Sequence, residues 1–157
     1  MTKRRLISIV GSTLAALVLS ALALPGHESR VTAVSVVVYK DPNCGCCKLW
    51  VDHLRKHGFA VTARDTTVEG MAGIKATARV QQRLHSCHTA FVNGYVVEGH
   101  VPAADIQRML DQKPKIAGIA VPGMPIGSPG MEVGNRKDPY DVVAFKRDGS
   151  TSVFAKR

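Results

Sequence analysis

Aromatic residues are scarce, 5% of the 157 positions, and nowhere interleave with basic ones, so the pattern of a nucleic-acid-binding surface is missing. Acidic residues are few beside basic ones, 12 against 21, which leaves a net charge of +9. No acidic residue lies among the first 23, where Lys3, Arg4 and Arg5 precede a mostly apolar stretch over residues 6–24. That arrangement predicts a secretory signal over residues 1–23, with Ala21-Leu22-Ala23 as the cleavage site. The competing reading is a retained anchor, since the stretch could just span a bilayer, but Gly11, Ser12, Thr13 and Ser20 weaken it. Arg4-Arg5 alone is too little for a twin-arginine signal. Without the signal the charge falls to +6, a mild excess that reads as solvated surface. The expected product is an exported, periplasmic protein with no stable membrane span and no nucleic-acid partner. Residues 24–33 form a flexible linker ahead of it.

Cysteine is also rare, and three of the four lie within four residues, in Cys44-Gly45-Cys46-Cys47. The short β-branched run over residues 34–39 reads as a buried strand, and Asp41-Pro42-Asn43 as a turn. Trp50, Val51 and Leu54 recur at helical spacing on the face of Cys47, and Gly58 closes that helix. The thiols therefore sit at a helix N-terminus, where free amide hydrogens and the helix dipole favour thiolate, the form that attacks disulfides and binds metals. Cys44 and Cys47 alone would make a redox C-x-x-C. Cys46 between them is a competitor in dithiol exchange and an asset for a soft metal. Plain disulfide staples do not account for the adjacent pair Cys46-Cys47.

The rest of the chain, about 134 residues, fits one domain. A strand is expected over residues 59–63, and Thr66 with Glu69 resembles a capping box ahead of a helix over 68–78. Residues 89–92 and 95–98 flank Asn93-Gly94, a strong hairpin signal. A third helix follows, with Pro102 in its first turn and Ile106, Met109 and Leu110 on one face. The order βαβαββα is that of the thioredoxin fold. We therefore expect an α/β, thioredoxin-like, mixed four-stranded sheet over residues 34–113, followed at 114–157 by a Gly/Pro-rich loop and a β-hairpin (140–145 and 151–155) packed on the same domain.

In that fold the first hairpin strand starts beside the thiol-bearing loop. Here that start is Ser86-Cys87-His88-Thr89, so Cys87 should face the other cysteines. Thioredoxins carry a cis-proline there; a cysteine and a histidine in its place suggest coordination. His88 is the best imidazole candidate. His53 and His57 are too far along their helix to share a metal with Cys46 and read as solvated surface. His85 falls on a loop near the site, His27 in the flexible start, and the reach of His100 depends on strand length. Met71 and Met109 are expected in the core. Met124 and Met131 recur in a Pro-Gly-Met repeat on the loop, where thioethers suit Cu(I) and clamping the sheet is an equal explanation.

Cys44-Gly45-Cys46-Cys47, Ser86-Cys87-His88-Thr89, Glu98-Gly99-His100-Val101-Pro102 and the segment from Val121 to Glu132 occur in order, and together resemble a bacterial copper-resistance family, the periplasmic CopG type. The resemblance spans roughly residues 34–156. It implies a thioredoxin-like domain that holds several copper ions, chiefly Cu(I), in a cysteine-bridged cluster, with interconversion of Cu(I) and Cu(II) as a further implied capability. It makes Cys44, Cys46, Cys47, Cys87, His88 and His100 the implied ligands and adds weight to Met124 and Met131. A periplasmic copper carrier or redox partner would serve such a protein, because an oxidising compartment turns unprotected thiols into disulfides. Two other readings compete. One is a thiol-disulfide oxidoreductase with Cys44 as nucleophile and Cys47 as resolving thiol. The other is a zinc-stapled module, which needs only four ligands and leaves the others idle.

Overall fold

The computed structural model describes residues 32–157. The expected signal sequence and residues 24–31 of the linker lie outside the described residues. Among the described residues no helix is long and apolar enough to cross a membrane.

The chain runs β1 (Ser35–Lys40), α1 (Gly45–Lys56), β2 (Ala60–Asp65), α2 (Val68–Thr77), a 3-10 turn (Gln82–Leu84), β3 (Thr89–Val92), β4 (Tyr95–Glu98), α3 (Ala103–Gln112), β5 (Gly118–Ala120), β6 (Asp141–Phe145) and β7 (Thr151–Lys156). The first seven regular elements follow the order expected from the sequence. The sheet, however, has seven strands rather than four, in the order β2-β1-β3-β4-β5-β6-β7. It is a mixed sheet: β1 pairs parallel with β2 and antiparallel with β3, and β4 pairs parallel with β5. The difference comes from β5. Gly-Ile-Ala is too short to display an alternation, yet it runs alongside Val96–Glu98 of β4 and receives the C-terminal hairpin on its other edge. The hairpin thus extends the sheet. The Arg157 guanidinium also binds the buried Asp105 carboxylate and so ties the end of β7 to α3.

Alternation along the strands sends two sets of side chains to opposite faces. Val36, Val38, Ala90, Val92, Val97 and Ile119 pack with Trp50, Val51 and Leu54 of α1 and with Ile106, Met109 and Leu110 of α3. Val96, Ala120 and Phe145 face the other way, against Val80 and Leu84. Helix α2 starts one residue later than its capping signal suggests. Thr67, not Thr66, is the N-cap, its Oγ1 accepting the Gly70 amide at 3.1 Å.

This register positions the site. Tyr39 pairs with Thr89, and Thr89 in turn pairs with Glu98. The C-terminal end of β1, the start of β3 and the end of β4 therefore meet at one edge of the strands. The cysteine motif, Cys87-His88 and His100 each lie one to a few residues beyond those ends.

Candidate metal centre

The turn after β1 is held by its own polar groups. The Asp41 carboxylate accepts the Asn43 amide at 2.7 Å, and the Asp41 carbonyl accepts the Cys44 amide at 3.1 Å. Cys44 is thereby placed as the N-cap of α1, its sulfur accepting the Cys47 amide at 3.3 Å. Cys47 is fully buried with Trp50, Val51 and Leu54, as the helical spacing predicts. Cys44 and Cys47 are joined by a disulfide, while Cys46 and Cys87 are free thiols. Cys46 Sγ lies 3.4 Å from Cys44 Sγ and 4.0 Å from Cys87 Sγ. All four sulfurs fall within 4.8 Å of one another.

A second group overlaps the first at Cys87. Donor atoms of Cys87, His88 and His100 also lie within 4.8 Å of each other. Cys87 Sγ is 3.3 Å from His88 Nδ1 and 3.1 Å from His100 Nε2. The hairpin explains the reach of His100. With a two-residue turn, the residues before β3 and after β4 are neighbours, and the Gly99 amide donates to the His88 carbonyl at 3.0 Å. His100 Nδ1 lies 2.8 Å from the Pro129 carbonyl and must donate its hydrogen there, so Nε2 directs a lone pair at Cys87. His88 is packed face to tilted face against Trp50, with ring centroids 4.3 Å apart, and its buried Nε2 has no hydrogen-bond partner.

The loop over residues 121–132 closes one side of this group. Its Gly123 amide donates to the His85 carbonyl, and Pro129 holds His100. A Cβ on Gly130 would stand 2.7 Å from the Cys46 carbonyl oxygen and 2.9 Å from the Trp50 nitrogen, so only glycine permits the loop to lie this close to α1. Met131 follows and is partly buried, whereas Met124 is exposed over 51% of its surface.

Two residues depart from their expected places, and a third carries no local signal of its position. His53 is not simply solvated: it is half-buried, and its Nε2 accepts the Ala103 amide at 3.1 Å, serving the N-terminus of α3. His57 is exposed, as expected. Met71 is not a core residue but is partly exposed and lines a cleft beside Cys87, which His85 also lines. The third is Lys75, which helical position alone would send to solvent. It is buried and ion-paired with Glu98, which is also buried. Glu98 further accepts the Ser86 amide at 2.7 Å and the Thr89 hydroxyl at 2.7 Å. One carboxylate thus clamps the segment on both sides of Cys87-His88.

The electrostatics suit a soft cation. Burial and the nearby Cys46 push the Cys87 thiol up to about 12, so metal uptake there must displace a proton. Burial holds His88 well below the ordinary imidazole value of 6.5, with His100 and Lys75 reinforcing it. Burial lowers His100 as well, against the opposing effects of its Pro129 bond and Glu132. Both rings are therefore neutral at pH 7 with lone pairs available. Sulfur and neutral imidazole nitrogen fit copper or zinc, and the ring nitrogen that His88 turns to Cys87 is Nδ1. The two lowered values carry a stability consequence. The folded chain binds fewer protons here than the unfolded chain, so the histidines contribute stability above about pH 6.5 that is lost as pH falls through and below that value. Denaturant midpoints of the metal-free protein should fall between about pH 7 and pH 5; a flat profile would contradict the neutral buried rings.

The family described as "Protein of unknown function, DUF411" matches residues 84–131. Two solved structures, forms 1 and 2 of a copper resistance protein CopG, are each 46% identical to this chain, covering 80% of it and 98% of their own length. Their TM-scores are 0.75 and 0.74. No curated protein matches the chain.

Proposed function

The chain belongs to the family of the copper resistance protein CopG, and from that premise we propose that it is a periplasmic copper-binding protein that holds several copper ions among Cys44, Cys46, Cys47, Cys87, His88 and His100. A copper-related role follows from the family and from the cysteine group together. The observation that carries the multinuclear reading is the sharing of Cys87. Four sulfurs form one group, two imidazoles join through the same sulfur, and the six donors exceed what a single tetrahedral ion needs. Thiolates bridge soft monovalent copper readily, which makes Cu(I) the favoured cargo. Met124 and Met131 stand as further thioether donors on the closing loop. Export is supported by the basic and apolar pattern of residues 1–23.

The Cys44–Cys47 disulfide defines what copper loading requires. Two electrons and two protons, from a periplasmic dithiol that itself becomes a disulfide, convert it to the two thiols that complete the four-sulfur group. Cys46, Cys87, His88 and His100 remain as donors in either state. The oxidised chain should therefore bind less copper than the reduced one. Interconversion of Cu(I) and Cu(II) is an extension of this reading, since neutral imidazole accepts either ion.

The same disulfide favours a second reading, a thiol-disulfide oxidoreductase acting through Cys44 and Cys47. An anaerobic Cu(I) titration of the reduced chain, with free thiols counted beside bound copper, separates the two. More than one copper per chain with loss of all four free thiols is the expected result. One copper or none, with Cys44 and Cys47 cycling while Cys46 and Cys87 stay free, would sink the shared cluster.

A further inference from the structure

Beside the cysteine group lies a cleft of about 250 Å³, lined by Asp41, Met71, Ala72, Lys75, His85 and Cys87 together with the first residues of α2. A more open groove shares Asp41, Thr66, Thr67 and Val68 with it and continues past Asp65 and Glu69 to the surface. Of the four cysteines only Cys87 lines this path. Elsewhere around the group, Gly130 lies close against α1, the Pro129 carbonyl binds His100, and Cys47 is fully buried.

The donors beside Cys87 in the cleft lining are a thioether and an imidazole, with the Asp41 carboxylate also in the lining. The Met71 sulfur lies 3.7 Å from Thr89 Oγ1, beside the start of β3, and because the Thr89 hydrogen goes to Glu98 the thioether keeps its lone pairs. His85 Nε2 lies 3.1 Å from the Val80 carbonyl; it must donate there, which leaves Nδ1 with its lone pair. The ammonium of Lys75 is engaged by Glu98 and Thr89, so the one cation in the lining is matched by a carboxylate. Carboxylates of Asp65 and Glu69 stand along the outer groove. Thioether and imidazole bind Cu(I) more weakly than bridging thiolates do, which is the ordering a path toward thiolates requires.

We propose that this cleft is the route by which Cu(I) reaches and leaves Cys87, with the Met71 thioether and the His85 imidazole as donors along the way. The proposal rests on the copper-binding reading above. The transfer is ligand exchange: copper keeps its oxidation state, the bond to the cleft donor breaks as the bond to Cys87 sulfur forms, and the thiol proton passes to solvent.

The test is anaerobic stopped-flow mixing of the reduced chain with Cu(I) supplied as its acetonitrile complex, followed by copper–thiolate absorption. Two variants are compared with the wild type. Met71→Leu conserves volume and removes the thioether. Ala72→Trp adds bulk at an exposed position on α2 that lines the cleft, where the fold tolerates change. Both should load about tenfold more slowly, a rise of about 1.4 kcal/mol in the barrier, and reach the wild-type copper content at the endpoint. Loading at the wild-type rate by either variant overturns the route. A wild-type chain that takes up no copper fails at the endpoint instead, and that result counts against the copper-binding reading itself.

Discussion

Cys87→Ala is expected to weaken copper binding by the reduced chain by at least about 100-fold, the upper end of what loss of a supporting partner of a metal ligand already costs. Cys87 is the sulfur common to the four-cysteine group and the Cys87, His88, His100 group. Without it Cys44, Cys46 and Cys47 remain together near the start of α1, and the two imidazoles lose the sulfur that connects them to those three. Bound copper per chain should fall with the affinity. Competition against a Cu(I) chelator of known affinity measures the change, and His57→Ala, at an exposed ring outside both groups, is the control. A Cys87→Ala chain that retains wild-type copper content and affinity would leave a function confined to Cys44 and Cys47, as the oxidoreductase reading requires.

Glu98→Ala should destabilise the fold by about 3–5 kcal/mol, because it leaves the Lys75 ammonium buried without its counter-charge. Lys75 and Glu98 have side chains only 7% and 0% exposed, so the fold holds the pair largely out of water. The same substitution deprives the Ser86 amide and the Thr89 hydroxyl of their acceptor, which adds to the loss. Urea denaturation measures it. Pairing Lys75→Met with Glu98→Gln removes both charges and keeps an oxygen for the Ser86 amide, and this double variant should recover most of the loss. A Glu98→Ala chain within about 1 kcal/mol of wild type would mean that the pair is not buried in solution. The position of the pair also bears on the site. It joins α2 to the segment that carries Cys87 and His88 and to the strand that ends before His100, so the donors are brought together before any metal arrives.

Much of this framework is legible along the chain. Asn93-Gly94 between two four-residue alternations specifies a hairpin because few backbones other than a tight turn suit that pair, and the strands occupy Thr89–Val92 and Tyr95–Glu98 as expected. The spacing of Cys47, Trp50, Val51 and Leu54 places one cysteine inside and leaves Cys44 at the helix start, as observed. The neighbourhood of His100 and His88 also follows from the hairpin, because a two-residue turn sets the residues before β3 beside those after β4 whatever the strand length. Strand β5 was not legible, since three residues of Gly-Ile-Ala carry no period and gain their pairing from β4 and β6 on either side. Nothing local marks Lys75 as buried, because its place depends on Glu98, twenty-three positions away. Met71 looked like core because its sequence neighbours do not reveal that the start of α2 stands off from the Cys87 segment and leaves a cleft.

By itself the sequence determined the kinds of donor atom, the placing of three cysteines at a strand-to-helix turn and the local elements, because each depends on residues within one or two turns of chain. The tertiary structure alone decided which donors meet. Cys46 and Cys87 approach to 4.0 Å only because β1 and β3 pair antiparallel with Tyr39 opposite Thr89, and His100 aims Nε2 at that sulfur only because Pro129, from a loop twenty-nine residues on, takes its other nitrogen. Such contacts are set by the packing of distant segments, and no local propensity encodes them.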